Sequence, residues 1–183
     1  MNYSPCGKML AVGTHTQDII IYDVDNNYAV KGKLKGHSSY ILGLDWSIDG
    51  KYLRSNCGAY ELLFWEIEKM AQDKNGMTNT KGVTWETSTC KISYNALGMF
   101  PTSEDFTHVN TVCISNNGQY IICGDDWGLV NIYNNPAPKD SGAFCVSLRG
   151  HSEHVMRVIF NKDDSYIFSV GGYDHTLMQW KKA

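Results

Sequence analysis

The chain has 183 residues, 43% of them hydrophobic and 12% aromatic, which is enough apolar side chain for one folded domain of ordinary size. A net charge of −3 argues against a nucleic-acid binder, which needs a basic excess. No run approaches the roughly eighteen apolar residues of a membrane-spanning helix. The amino end, Met1-Asn2-Tyr3-Ser4-Pro5, enters a turn directly and shows no signal-peptide pattern. Seventeen glycines and four prolines suit a turn-rich β protein. The six cysteines (Cys6, Cys57, Cys90, Cys113, Cys123 and Cys145) form no C-x-x-C pair. They read as buried free thiols of a reducing compartment, with Cys113 and Cys123 on neighbouring strands. No metal and no cofactor is expected, because short-spaced ligand pairs are missing along the chain.

Taken in chain order, four segments share one template. Tyr3-Ser-Pro-Cys-Gly-Lys-Met-Leu10 opens the first and Trp46-Ser-Ile-Asp-Gly-Lys-Tyr-Leu53 the second. Ile114-Ser-Asn-Asn-Gly-Gln-Tyr-Ile121 and Phe160-Asn-Lys-Asp-Asp-Ser-Tyr-Ile167 open the third and fourth. Each is a strand end, a polar turn and a new strand, with glycine or a short polar residue where the turn needs positive φ. Each closes on an aromatic residue: Tyr22, Trp65, Tyr133, Trp180. Opening and closing residues are 19, 19, 19 and 20 positions apart, a regularity that marks an internal repeat. Repeats are placed at roughly 1–24, 36–67, 108–134 and 150–181, with an insertion at roughly 68–107.

Gly36-His37 and Gly150-His151, followed by Trp65 and Trp180, resemble the GH…WD signature of WD-repeat β-propellers. That resemblance implies an all-β fold of four-stranded antiparallel blades. About three and a half to four blades are expected, forming a partial arc, with the missing propeller strands supplied by the rest of a longer chain. An open arc is expected to aggregate or fold only in part when isolated. The resemblance also implies a polar network in each blade. The fourth repeat keeps its full set, His151, Ser169, Asp174 and Trp180. The second has His37, Ser55 and Trp65, but Ala59 stands where Asp is expected. The third has His108 with no preceding Gly and Asp126 one residue early; the first has Thr16 at that position. These three repeats are expected to lean on packing.

In 29–35, Lys31, Lys33 and Lys35 recur at period two and share one face of an outer strand. They read as edge protection or as a basic patch for an acidic partner. Residues 66–81 are polar and read as an exposed loop. Residues 83–101 are strand-like in composition but too long for one strand, so an extra strand pair or an embellished loop is expected. Here the resemblance narrows. Trp85-Glu-Thr87-Ser-Thr89-Cys90 followed by Leu97-Gly98-Met-Phe100-Pro101 is similar to the late part of the echinoderm microtubule-associated protein-like family. Gly36-His-Ser-Ser39, Leu44-Asp-Trp46, Gly150-His-Ser-x-His154 and Met178-Gln-Trp180 agree with it.

The resemblance implies a non-catalytic interaction module of a cytoskeletal protein in the cytoplasm, with a cilium as one setting. Its partners would be tubulin, microtubules or other proteins, with neither nucleic acid nor membrane. A WD-repeat scaffold for a ciliary or ubiquitin-ligase assembly is the alternative. No nucleophile elbow, phosphate loop or metal-spaced His pair points to an enzyme. Turns between second and third strands carry Tyr60, Trp127 and Tyr173, which read either as partner anchors or as caps folded onto their own blades.

Overall fold

One turn, used four times, sets the architecture. Ser4, Ser47, Ser115 and Asn161 each stand at or just past a strand end. Through a side-chain oxygen, each accepts a hydrogen bond from the backbone N–H five residues on: Met9 (3.0 Å), Tyr52, Tyr120 and Tyr166 (2.9 Å each). Three residues after each acceptor comes Gly7, Gly50, Gly118 or Asp164, with φ of 73°, 69°, 71° and 59°. Its N–H returns to the acceptor's own carbonyl at 2.8, 2.8, 2.9 and 3.1 Å. Glycine takes this left-handed backbone without a Cβ penalty, and aspartate is among the residues that tolerate it. The first half of each template therefore encodes a closed turn, and the second half runs back beside the first as a new strand.

The computed structural model describes residues 1–100, 108–138 and 143–181. The chain divides into two compact units, Met1–Ile92 and Ser93–Ala183. In the first, β1 (Asn2–Tyr3), β2 (Met9–Gly13), β3 (Ile19–Asp23) and β4 (Ala29–Leu34) form one antiparallel meander. A second meander is β5 (Ile41–Trp46), β6 (Tyr52–Cys57), β7 (Leu62–Glu66) and β8 (Ala71–Gln72). The two pack through one core that joins Ala11, Ile19, Ile21 and Leu34 to Leu44, Trp46, Leu53 and Trp65.

The second unit repeats the plan with β9 (Val109–Ile114), β10 (Tyr120–Asp125), β11 (Leu129–Asn134) and β12 (Phe144–Arg149). Beside them lies a three-stranded sheet of β13 (Val155–Phe160), β14 (Tyr166–Gly171) and β15 (Leu177–Lys181). Ile122 and Val130 meet Val155, Val158 and Ile167 in the core they share. Among the described residues, no helix is long and apolar enough to cross a membrane.

One expectation changes, and one is decided between its two alternatives. Residues 66–81 are more than an exposed loop. They hold β8, the outer strand of the second sheet, and a single helical turn, α1 (Gly76–Asn79), seated against Phe64. Among the described residues, 83–92 forms no extra strand pair: only a bridge between Ser47 and Trp85 is strand-like. The segment is pinned along the free edge of β5 by two backbone bonds at its start, Glu86 N to Trp46 O (2.8 Å) and Ile48 N to Thr84 O (3.0 Å), and then by side chains. Buried Asp45 accepts from Thr87 Oγ1 (2.8 Å), Thr89 N (2.6 Å) and Cys90 N (3.0 Å). Its remaining partner is Arg54 Nε at 3.0 Å, and the Arg54 guanidinium lies 4.5 Å over the Trp85 ring. β-branched threonines and aromatics serve here as a cover for a strand edge. Pro101, the end of the family-like motif, lies outside the described residues.

The thiols also divide. Cys57, Cys90 and Cys123 are buried, Cys113 is half-buried and Cys6 is exposed. Cys113 and Cys123 lie on the paired strands β9 and β10, where Cys113 faces Ile122 and Cys123 faces Val112. The side chain of Cys145 lies outside what the structure describes.

Candidate functional site

The polar nodes of the sheets come first, because they hold the exposed turns in place. In the last sheet, Trp180 Nε1–H donates to Ser169 Oγ at 2.8 Å. His151 Nε2 lies 2.7 Å from the same oxygen, and its Nδ1 lies 2.9 Å from Asp174 Oδ2. Thr176 adds a hydroxyl 2.8 Å from His151 Nδ1 and a backbone N–H to Asp174 at 3.1 Å. Gly171 is required there, since a Cβ would collide with the Asp174 carboxylate.

The second sheet has an equally complete node, and the side chain at 59 has no part in it. Trp65 Nε1–H donates to Ser55 Oγ at 2.8 Å, and His37 Nε2 lies 2.6 Å from that oxygen. The carboxylate comes from Glu61, whose Oε2 is 3.1 Å from His37 Nδ1 and accepts the Ser38 N–H at 2.9 Å. The cause is a turn one residue shorter. Glu61 directly precedes β7, as Thr176 precedes β15, and its extra methylene spans the distance. Cys57 occupies the register of Gly171 and donates its S–H to Glu61 at 3.0 Å.

Electrostatics follow the contacts. The Ser38 N–H is the main influence on Glu61; with help from Cys57, the Ser38 hydroxyl and His37, and against burial, it holds the carboxyl at about 2. Burial works against the Asp174 carboxylate, but hydrogen bonds from His151 and Thr176 outweigh it and also hold that group at about 2. Burial lowers the His37 pKa despite Glu61 beside it, so at neutral pH the pair is a neutral ring on a carboxylate. Both acids have folded-state values below their ordinary 4.5 and 3.8. Their contribution to stability is complete above those ordinary values and is lost as pH falls toward about 2. Thermal melts across that window should show a steep acid loss, flattened in Glu61→Gln. Parallel curves for the two proteins would remove Glu61 from the acid response.

The third sheet uses other chemistry. Cys123 and Tyr133 hold the registers of Ser55 and Trp65 and hydrogen-bond to each other. Burial pushes the Cys123 thiol up to about 12. His108 directly precedes β9, whereas His37 and His151 precede β5 and β13 by four residues, so it is no counterpart of theirs. Asp126 accepts from Asn110 at 2.8 Å. The turn is held by Asp125, which accepts from Trp127 N, Leu129 N and Asn131 Nδ2 at 3.0, 2.9 and 2.9 Å. In the first sheet the Thr16 hydroxyl meets Thr14.

On these braced turns sit the exposed aromatics. Trp127 packs on His108 with ring centres 4.9 Å apart, yet remains 61% exposed. Tyr173 meets His154 edge-on at 5.3 Å and is 78% exposed. Tyr60, 41% exposed, takes φ of 61° in the short turn of the second sheet. Trp127 thus rests on its own sheet and still presents most of its surface. Lys31 and Lys33 are exposed on the edge strand β4, and Lys35 just follows it. Lys31 is the extra residue of a bulge opposite Ile21 and Tyr22. Bulges and lysines both disfavour edge-to-edge pairing.

Residues 1–182 match the model of the echinoderm microtubule-associated protein second β-propeller. The chain belongs to the echinoderm microtubule-associated protein family. Similar proteins include the ciliary WD repeat-containing protein ctxp80 of Euplotoides octocarinatus, 53% identical over 182 residues. The 77 kDa echinoderm microtubule-associated protein of Lytechinus variegatus is 41% identical over 185. These alignments take in 100% and 98% of this chain but 25% and 27% of the relatives, so the chain spans about a quarter of their length. Among solved structures, the Cps50 (Swd1) β-propeller domain of Myceliophteria thermophila matches with a TM-score of 0.67 at 16% identity. That match covers 100% of this chain and 65% of the other, and it speaks for the fold alone. The fold is the WD-repeat β-propeller, and the family match runs across the 83–92 strap that Asp45 pins.

Proposed function

We propose that this chain is a non-catalytic protein-interaction module that contributes to microtubule binding in the cytoskeleton, with a cilium as one setting. Membership of a microtubule-associated family across the whole chain carries the reading. The 53% identical relative described as ciliary favours the ciliary setting. A binding role also suits the chemistry. Both nitrogens of His37 and of His151 are engaged in structural hydrogen bonds, which leaves neither ring to act as a base. Trp127 supplies a large amphipathic contact surface from a turn already braced by Asp125, so little ordering entropy is lost on binding. Lys31, Lys33 and Lys35 provide a local positive stripe on a chain that is mildly acidic overall.

Co-sedimentation with microtubules tests this. The wild-type chain should pellet. Trp127→Ala should weaken binding by about 2 kcal/mol, the scale of an aromatic anchor. The triple Lys→Glu variant should weaken it more at low salt than at high salt. Failure of wild type to pellet would refute the reading. Binding unchanged in the variants would clear those residues.

A further inference from the structure

We propose that the node of the second sheet is a divalent-metal site of the zinc class, formed by His37 Nδ1, Cys57 Sγ and Glu61 Oε2. These three atoms lie within 4.8 Å of one another. Glu61 Oε2 is 3.1 Å from His37 Nδ1 and 3.0 Å from Cys57 Sγ. Zinc bonds of about 2.0–2.3 Å to nitrogen, oxygen and sulfur require tetrahedral edges of about 3.3–3.7 Å. The two edges at Glu61 Oε2 would lengthen by a few tenths of an ångström around an ion, while His37 Nδ1 and Cys57 Sγ, within 4.8 Å of each other, would settle to the edge the tetrahedron needs. His37 and Cys57 are buried at 5% and 0% exposure, while the Glu61 side chain is 33% exposed. Two ligands are thus fixed in the core, and the third faces the solvent side from which a water would complete the coordination.

The supporting groups match what metal sites use. Ser55 Oγ, 2.6 Å from His37 Nε2, sets the ring's orientation, and the Ser38 hydroxyl donates to Glu61 Oε1 at 2.9 Å. Binding balances simply. The ion enters, the Cys57 thiol proton leaves to solvent, and His37 moves its one ring proton from Nδ1 to Nε2, where Ser55 accepts it. Glu61 is already ionised. The molecule also holds its own control. The node of the last sheet has the same histidine and a carboxylate, but Gly171 stands at the register of Cys57 and no thiol is present. The mix of one thiolate, one imidazole and one carboxylate favours zinc or cobalt over magnesium or calcium.

Cobalt(II) titration of the 183-residue chain, stripped with chelator, is the test. One equivalent should produce tetrahedral visible bands together with a thiolate-to-metal charge-transfer band, and zinc should displace both. Cys57→Ser should lose the charge-transfer band while keeping the thermal melt of the metal-free chain. Ser55→Ala should weaken cobalt binding by about 10–100-fold. Asp174→Asn and Cys6→Ser should bind as wild type does. Absence of bands in the folded wild type would overturn the proposal. So would bands that survive in both Cys57→Ser and Cys57→Ala.

Discussion

Replacing Asp45 with asparagine should destabilise the first unit by about 3–5 kcal/mol, the scale of breaking a buried ion pair from one side. Asp45 is fully buried and accepts four hydrogen bonds, two on each oxygen. Asparagine keeps the shape, but its amide nitrogen must face donors on one side. It also leaves the Arg54 guanidinium, itself only 7% exposed, without its counter-ion. The loss has a location. Thr87 Oγ1, Thr89 N and Cys90 N all bond this one carboxylate, while Thr89 Oγ1 and Ile92 N keep their own bonds to Leu44 and Asn56, so the 83–92 strap should loosen from β5 around 87–90 before the sheets melt. Limited proteolysis should therefore nick the variant between 83 and 92 under conditions where wild type is resistant. The midpoint of urea unfolding should fall with little change in slope. Adding Arg54→Leu should recover part of the loss, because the stranded charge is then gone. A shift below about 1 kcal/mol would mean that water or rearrangement satisfies Arg54, and that the strap is held by packing instead.

Some of this is written in plain view along the chain. The turn residues Gly7, Gly50, Gly118 and Asp164 and the closing aromatics lie at fixed offsets, and local backbone chemistry acts over just such offsets. The opening Ser or Asn of each turn is equally regular, and its role as acceptor for the N–H five residues on comes from the same spacing. Glu61 is hidden because the repeat pattern puts the carboxylate six residues before the tryptophan. A one-residue shorter turn moves it, and a longer side chain compensates. Cys123 and Tyr133 are hidden differently, since a thiol and a phenol replace a hydroxyl and an indole in the same geometry. The Asp45 hub is out of reach of any local pattern: its partners lie 9 to 45 residues away in sequence. The threonines of 83–92 look like strand because β-branched composition reports a half-buried pleated surface, and they lie along one without pairing as strand. Trp127 is legible as a turn-tip aromatic by type and place. How far it stays exposed depends on His108, which only the fold brings beneath it.

Ser169→Ala should cost the second unit about 2–3 kcal/mol, from two groups each worth about 1–3 kcal/mol when left unpaired. The serine is fully buried, and its single oxygen serves both the Trp180 indole N–H and the His151 ring. Removing it strands a donor and a ring nitrogen together. Trp180 is only half-buried, so water reaches its N–H and trims the upper end. The loss should spread along the node. Without Ser169, His151 is held only through Nδ1 by Asp174 and Thr176, so the ring can tilt and loosen the carboxylate's hydrogen bonds. Asp174 should then titrate closer to its ordinary 3.8, and the acid-dependent part of the stability should shrink in the variant. Ser169→Cys should fall between alanine and wild type, because the third sheet already uses Cys123 at that register, though against a tyrosine hydroxyl. Denaturant melts of the three proteins at neutral pH and again near pH 3 separate the outcomes. If alanine and wild type unfold alike at neutral pH, the serine is a bystander, and the β14–β15 ladder with packing of the Trp180 ring suffices. If they differ at neutral pH but keep the same acid slope, the oxygen matters to the indole and not to the histidine–aspartate pair.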